Sequence, residues 1–262
     1  MVFAQVRAVL LNACRGPRTD PCHPAVAEVM DMRTKTSVLQ TIAEHAAEEF
    51  ADADAVSILA WTTALFTNRW VVASSMQDAV LIDLAASVKP DVPVIFLDTG
   101  YHFAETIGTR DAIAATYPDV RILNATADMS VAEQEQAYGV LYDSDPDRCC
   151  RLRKVVPLRR ILADYNVWVT GVRRTDGAGR AHTPKISWDT SHDLIKINPL
   201  ADWSDEQYDQ YIDDNAILVN PLVSAGFPSI GCAPCTAKPE PGTDLRSGRW
   251  SGRTKTECGL HG

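Results

Sequence analysis

Cysteine dominates the chemistry available to this chain. Cys149 and Cys150 are adjacent in DRCCRLRKVVPLRR, Cys232 and Cys235 form a CxxC pair in GCAPCT, and Cys258 stands alone in the closing KTECGLHG. The other two of the seven, Cys14 and Cys22, fall in an unpatterned leader and receive no role. An odd count at such spacings does not describe a disulfide framework. Neighbouring cysteines cannot easily bond each other, because the ring they would close is strained. The adjacent pair and the CxxC pair together supply four thiolates, the complement for tetrahedral zinc or for an iron–sulfur cluster. The CxxC spacing leans towards zinc. The vicinal pair is more natural for a [4Fe–4S] cube, whose irons lie on separate corners. On spacing alone both remain open, beside the plainer reading of two unrelated buried pairs. A thioredoxin-like redox CxxC is disfavoured, because the motif does not follow the first strand of a small βαβ unit.

Cys258 is the thiol left over. So close to a chain end it is an accident, a metal ligand tied back to the body, or a nucleophile that benefits from a movable tail. Its surroundings in sequence are basic. Residues 148–160 hold six cations (Arg148, Arg151, Arg153, Lys154, Arg159, Arg160) and no acid, and Arg173, Arg174, Arg180, Arg246, Arg249 and Arg253 add more. A solvated helix face is the ordinary account of the first group. Yet the formal net charge is -9. That balance argues against a general nucleic-acid binder, which needs a basic face to replace phosphate counterions. An acidic chain that gathers its arginines locally points to a small polyanionic ligand.

The elements that must position these residues alternate in the manner of α/β folds. Helical periodicity occupies TSVLQTIAEHAAEEF and AVSILAWTTALFT. Apolar strands RWVVASS, VPVIFLD, VRILNAT and NVWVTGV then alternate with helices DAVLIDLAASV, FAETIGTRDAIAATY and SVAEQEQAYG. Strands that are apolar throughout, separated by amphipathic helices, imply a parallel sheet covered on both faces. DLIKINPL adds a strand, expected near an edge, followed by the helix SDEQYDQYIDDNA with Ser204 as N-cap. The expected organisation is a disordered leader over 1–33, a nucleotide-binding α/β domain over 34–230 and an irregular tail, rich in Pro, Gly and charge, over 231–262. No apolar run approaches the roughly 20 residues of a membrane-spanning helix, and the opening segment makes a poor signal peptide. The chain is therefore expected in the cytoplasm, with no membrane or nucleic-acid partner; homo-oligomerisation stays open.

In a sheet of this kind a ligand sits at the carboxyl ends of the strands, against helix N-termini. Three strand ends are chemically loaded: VVASSMQD, VIFLDTGYHF and VWVTGVRR. Any one alone is ordinary turn chemistry; three on one edge favour a site. Ser74, Ser75 and Asp78 with nearby backbone N–H groups could cradle an anion, although the GxxxxGK[ST] pattern of a P-loop is absent. Leu97, Asp98, Thr99 and Gly100 form the second loop, where Asp98 also has a plain role bonding the turn.

From about residue 69 to the C-terminus the sequence resembles the assimilatory adenylyl-sulfate reductases of the phosphoadenylyl-sulfate reductase family, in their actinobacterial form. The resemblance is carried by LDTGYHFAET, CCRLRKVVPL, WVTGVRR, INPLADWS, PSIGCAPCT and RSGRWSGRTKTECGLHG. It implies an adenine-nucleotide α-hydrolase-like fold and a [4Fe–4S] cluster on Cys149, Cys150, Cys232 and Cys235. It implies adenosine 5′-phosphosulfate as substrate, contacted by Lys154, Gly171, Arg180, Arg246 and Arg249, with the SSMQD and LDTG loops around the nucleotide. The family usually carries a Gln-Ser pair after the double arginine; here RRTDGAGRA has Asp176 and Gly177, while Arg180 is retained.

The resemblance also implies a role for Cys258: attack on the substrate's sulfur, expulsion of AMP, and a thiosulfonate that a thioredoxin thiol resolves to sulfite. His261 is a weak candidate for orienting the tail. The cluster is read as structural and electrostatic, since the dithiol partner can supply both electrons. The nearest rival is a phosphoadenylyl-sulfate reductase or an enzyme using both substrates; the two cysteine pairs accompany the unphosphorylated substrate in the family. An ATP pyrophosphatase on the same fold needs an SGGxDS loop whose glycines ASSMQD lacks. A non-catalytic zinc module with a spare terminal thiol is the remote alternative.

Overall fold

The computed structural model describes residues 24–262 except Pro241, 251–254, Thr256 and 261–262, with side chains from Thr34 onward. The leader ahead of Pro24, with Cys14 and Cys22, and likewise Arg253 and His261, lie outside the described residues. Two units are distinguished, residues 1–38 and a main unit from Leu39 to Gly262. The first helix, α1, spans Pro24–Glu49. It begins inside the segment expected to be disordered. Proline is tolerated in a first helical turn, and the Ala, Glu and Met that follow are strong helix formers, which a search for amphipathic period overlooks.

The main unit then runs through α2 (Ala55–Phe66), β1 (Trp70–Ala73), α3 (Val80–Val88), β2 (Pro93–Asp98), α4 (Ala104–Thr116), β3 (Arg121–Thr126) and α5 (Val131–Tyr138). Short α6 (Leu141–Ser144) precedes a nearly continuous helical stretch: α7 (Pro146–Cys150), a π-helical turn (Arg151–Val155) and α8 (Val156–Leu162). After β4 (Val167–Thr170), β5 (Ile186–Asp189) and β6 (Leu194–Ile197) come α9 (Asp205–Asp214) and α10 (Pro221–Ser224).

The six strands are ordered β3-β2-β1-β4-β6-β5. All neighbours are parallel except β5, which runs antiparallel to β6 with Ser187 opposite Lys196. β6 pairs in parallel with β4, Val169 opposite Ile197, so it is an interior strand rather than the expected edge. The edge is β5, which the sequence reading passed over. ISWD is short, half polar and preceded by Pro184, and so lacks the apolar run of a buried strand.

Alternate residues of the interior strands feed two cores. Val72, Val94, Phe96, Val169 and Ile195 pack with Leu39, Ala43, Ile58, Leu59 and Ile82 from α1–α3. Val71, Ile95, Trp168 and Leu194 pack with Leu158 and Leu162 of α8, and Leu260 of the tail rests against this second group. Period-2 alternation with both sets apolar is why the strands read as continuous hydrophobic runs. Each such aliphatic side chain contributes about 1.5–3 kcal/mol by leaving water.

Strand order reverses between β1 and β4, which lie side by side with Ala73 opposite Thr170. In open α/β sheets the crevice above such a reversal receives ligands. Two loaded strand ends, ASSMQD and VTGVRR, therefore meet there, with the end of β2 beside them through Ala73 opposite Ile95.

Candidate active site

A cavity of about 290 Å³ opens above these strand ends. Ser74, Ser75, Asp78, Leu97, Lys154 and Gly171 line it from the sheet side, and Arg180, Arg246, Arg249 and Cys258 from the loops and tail. Ten residues singled out in the sequence, scattered from 74 to 258, thus border one space. The β1 loop is held tightly. Met76 is fully buried at φ 58, a left-handed backbone paid for by the Ser74 hydroxyl, which accepts the Met76 N–H at 3.1 Å. Asp78 accepts the Val80 N–H at 3.1 Å, at the start of α3. Burial pushes its carboxyl pKa up, opposed by the Tyr208 hydroxyl and the Val80 N–H.

The LDTG loop divides its residues. Leu97 reaches the cavity, but Asp98, Thr99 and Gly100 are not among its lining residues. Asp98 accepts the Gly100 N–H at 3.1 Å and faces Arg110 at 3.7 Å. The Thr99 carbonyl accepts from Arg153 at 3.0 Å, while its hydroxyl lies 3.3 Å from the Cys232 sulfur. Gly100, at φ 73, abuts Val131. Between Leu97 and His102, which both line the cavity, the loop's polar groups are engaged by Arg110, Arg153 and Cys232.

Behind the cavity, Cys149, Cys150, Cys232 and Cys235 border one narrow void of about 10 Å³ together with Arg153, Lys154 and Trp250. The π-helical turn after Cys150 carries the two cations of this lining. Arg153 follows Cys149 by four residues and Lys154 follows Cys150 by four, so both cations share the buried face of the thiols. Pro157 cannot donate to the Arg153 carbonyl, and the widened turn before it accommodates the missing bond. Arg153 is spent on the Thr99 carbonyl, the Met129 carbonyl at 3.3 Å and the Tyr101 ring at 5.2 Å. Lys154 instead points at the tail, its Nζ donating to the Cys258 sulfur at 3.5 Å.

The thiols differ sharply in acidity. A hydrogen bond from Cys150, reinforced by Lys154 and Arg249, holds the Cys258 thiol well below its ordinary pKa despite burial. The same bond to Cys258, then burial, pushes Cys150 up. Burial pushes Cys149 up, and burial with the nearby Cys232 pushes Cys235 up to about 11. Burial opposes the charge on Lys154, but the Cys232 and Cys258 sulfurs outweigh it and raise its pKa. Among the described residues no three Cys, His, Asp or Glu side chains are grouped closely enough for a single metal ion. Four thiols line the void beside the hydroxyl-bearing Thr99, Tyr101 and Tyr142, two cations border it and no carboxylate does. That chemistry suits an anionic polythiolate centre.

The cavity's guanidiniums are tied into a network with acids. Asp176 pairs with Arg173 at 3.3 Å and with Arg180 at 3.2 Å. The departure at Asp176 from the resembled family's Gln-Ser thus supplies a carboxylate that fixes both arginines. Glu257 reaches Arg180 at 3.2 Å and Arg246 at 3.0 Å. Arg249 donates to the Ser229 hydroxyl at 3.4 Å and the Ile230 carbonyl at 3.3 Å. Residues that sequence reasoning missed include His102, Trp168, Tyr208 and Glu257. His102, Trp168 and Glu257 lie within the quoted LDTGYHFAET, WVTGVRR and KTECGLHG and could have been included. Tyr208 had no signal, because only the docking of α9 brings it to Asp78.

Residues 69–238 match the phosphoadenosine phosphosulfate reductase domain. Among curated relatives, the adenosine 5′-phosphosulfate reductase of Mycolicibacterium smegmatis is 58% identical over 233 residues, covering 88% of this chain and 98% of its own. The protein of that name from Mycobacterium tuberculosis is 54% identical over 241 residues, with 85% and 94% covered. A solved phosphoadenylyl-sulfate reductase from Candida auris, in a phosphate complex, superposes with TM-score 0.65 at 29% identity, over 76% of this chain and 97% of that one.

Proposed function

The chain belongs to the phosphoadenosine phosphosulfate reductase family, and on that premise we propose that it reduces adenosine 5′-phosphosulfate to sulfite and AMP with a thioredoxin-type dithiol. The observation that carries this reading is the seating of the Cys258 sulfur in the arginine-lined cavity, 3.5 Å from Lys154 Nζ. The Cys258 thiolate attacks the substrate's sulfur, the sulfur–oxygen bond to the phosphate breaks, and AMP leaves with the bond's electrons. Lys154, Arg246 and Arg249 stand where the leaving phosphate gains charge and lower the barrier electrostatically. Cys258 now carries the sulfonate. A thiolate of the dithiol attacks its Sγ and expels sulfite, and the second thiol releases Cys258 from the mixed disulfide. The dithiol is oxidised by two electrons and the substrate sulfur reduced by two, so the exchange balances. For this the tail must move from the cavity to meet its reductant.

Cys149, Cys150, Cys232 and Cys235 would hold a [4Fe–4S] cluster, which when bound supplies a fixed charge beside Lys154 and ties the tail to α7. The reading fits the four thiols, the two cations and the lack of a carboxylate in that lining. Setting and partner follow from the reaction: assimilation of sulfate, in a reducing compartment where dithiol reductants are maintained.

The test is intact mass measured on anaerobic protein after incubation with substrate and no reductant, beside Cys258→Ser. Wild type should gain one sulfonate and lose it to thioredoxin, with the variant unmodified. Substrate persisting with neither protein modified would end the covalent scheme.

A further inference from the structure

Glu257, which the family reading leaves without a task, bridges two guanidiniums of the cavity. Its carboxylate pairs with Arg180 at 3.2 Å through one oxygen and with Arg246 at 3.0 Å through the other. All three side chains line the cavity that Cys258 enters, and Glu257 immediately precedes Cys258. Arg249, by contrast, has no carboxylate partner among the described residues; it bonds a hydroxyl and a carbonyl. An anion arriving at Arg180 and Arg246 therefore meets cations already paired, Arg246 with Glu257 and Arg180 with both Glu257 and Asp176. Two like charges cannot share those guanidiniums without repulsion, and a carboxylate and a phosphate present the same fork of acceptor oxygens to arginine.

We infer that Glu257 is an internal counter-ion that competes with the ligand's anionic group for Arg180 and Arg246, and that in the ligand-free protein this pairing latches the tail so that Cys258 lies against Lys154. Glu257 is thus a positioning residue that sets anion affinity against tail closure. Binding of the phosphate-bearing ligand draws the arginines away from Glu257 and frees the segment next to the nucleophile. The inference rests on the nucleotide reading above.

The experiment compares cluster-loaded wild type with Glu257→Gln, which keeps size and loses charge, by calorimetric titration of AMP and of adenosine. With its competitor removed the variant should bind AMP roughly five- to tenfold more tightly, while adenosine, which has no phosphate, binds both proteins alike. Glu257→Asp, which restores the charge, should return AMP affinity towards wild type. In the ligand-free proteins, iodoacetamide should label Cys258 faster in Glu257→Gln, read from the tail peptide. AMP affinity unchanged or weakened in the variant, or adenosine gaining as much as AMP, overturns the competition. An unchanged labelling rate overturns the latch. Wild type that fails to bind AMP at all defeats the nucleotide reading, and this inference with it.

Discussion

Lys154 is a buried lysine whose side chain borders both the arginine cavity and the cysteine void. A lysine loses more by burial than by almost any other placement unless anions compensate, and here the compensation comes from sulfur. Its neighbour Arg153 is buried as deeply but bonds two backbone carbonyls, so the two adjacent cations divide between structure and chemistry. If the four thiols hold an iron–sulfur cluster, Lys154→Gln should preserve volume and iron content while lowering turnover about a hundredfold, the usual scale for one lost electrostatic donor. Parallel assays of bound iron and of single-turnover sulfite release would decide this. Full turnover with normal iron would remove Lys154 from the mechanism.

The π-helical turn and the tail's turns do the positioning at the scale of elements. Gly231, just before the CxxC pair, packs so closely on the Arg249 guanidinium that an added methyl group would overlap it. Arg249 crosses back to the strand ends there, and the bridge between Thr236 and Arg249 closes this part of the tail on itself. Gly231→Ala should therefore displace Arg249 and raise KM for the substrate severalfold, with far-UV circular dichroism unchanged because no helix or strand contains residue 231. Wild-type kinetics in Gly231→Ala would show that Arg249 does not touch the ligand. Such spacing is invisible in sequence: Gly231 reads as an ordinary turn residue, and its need to be small comes from a side chain eighteen positions away.

Taken whole, the main unit is a two-cored sheet with its chemistry at one end, and the tail returns to that end by way of the cysteines and Leu260. If the four thiols hold a cluster, its removal should release the tail before the sheet. Limited proteolysis after chelation under oxidising conditions should then cut beyond residue 230 while a fragment of the main domain persists; simultaneous loss of both would mean that the centre also supports the sheet. The sequence by itself determined the alternation of strands and helices, the Ser204 cap, and the five cysteines with their cationic surroundings. These depend on local preference and on residue types whose chemistry is fixed by their atoms. It also carried the family, through motifs long enough to be distinctive. The tertiary structure alone decided that β5 rather than β6 closes the sheet, that Asp98 faces Arg110 while Thr99 meets Arg153 and Cys232, and that Glu257 and Tyr208 line the cavity. Those outcomes depend on pairings between segments far apart in the chain, where a strand's neighbour or a carboxylate's cation is set by the packing of everything between them.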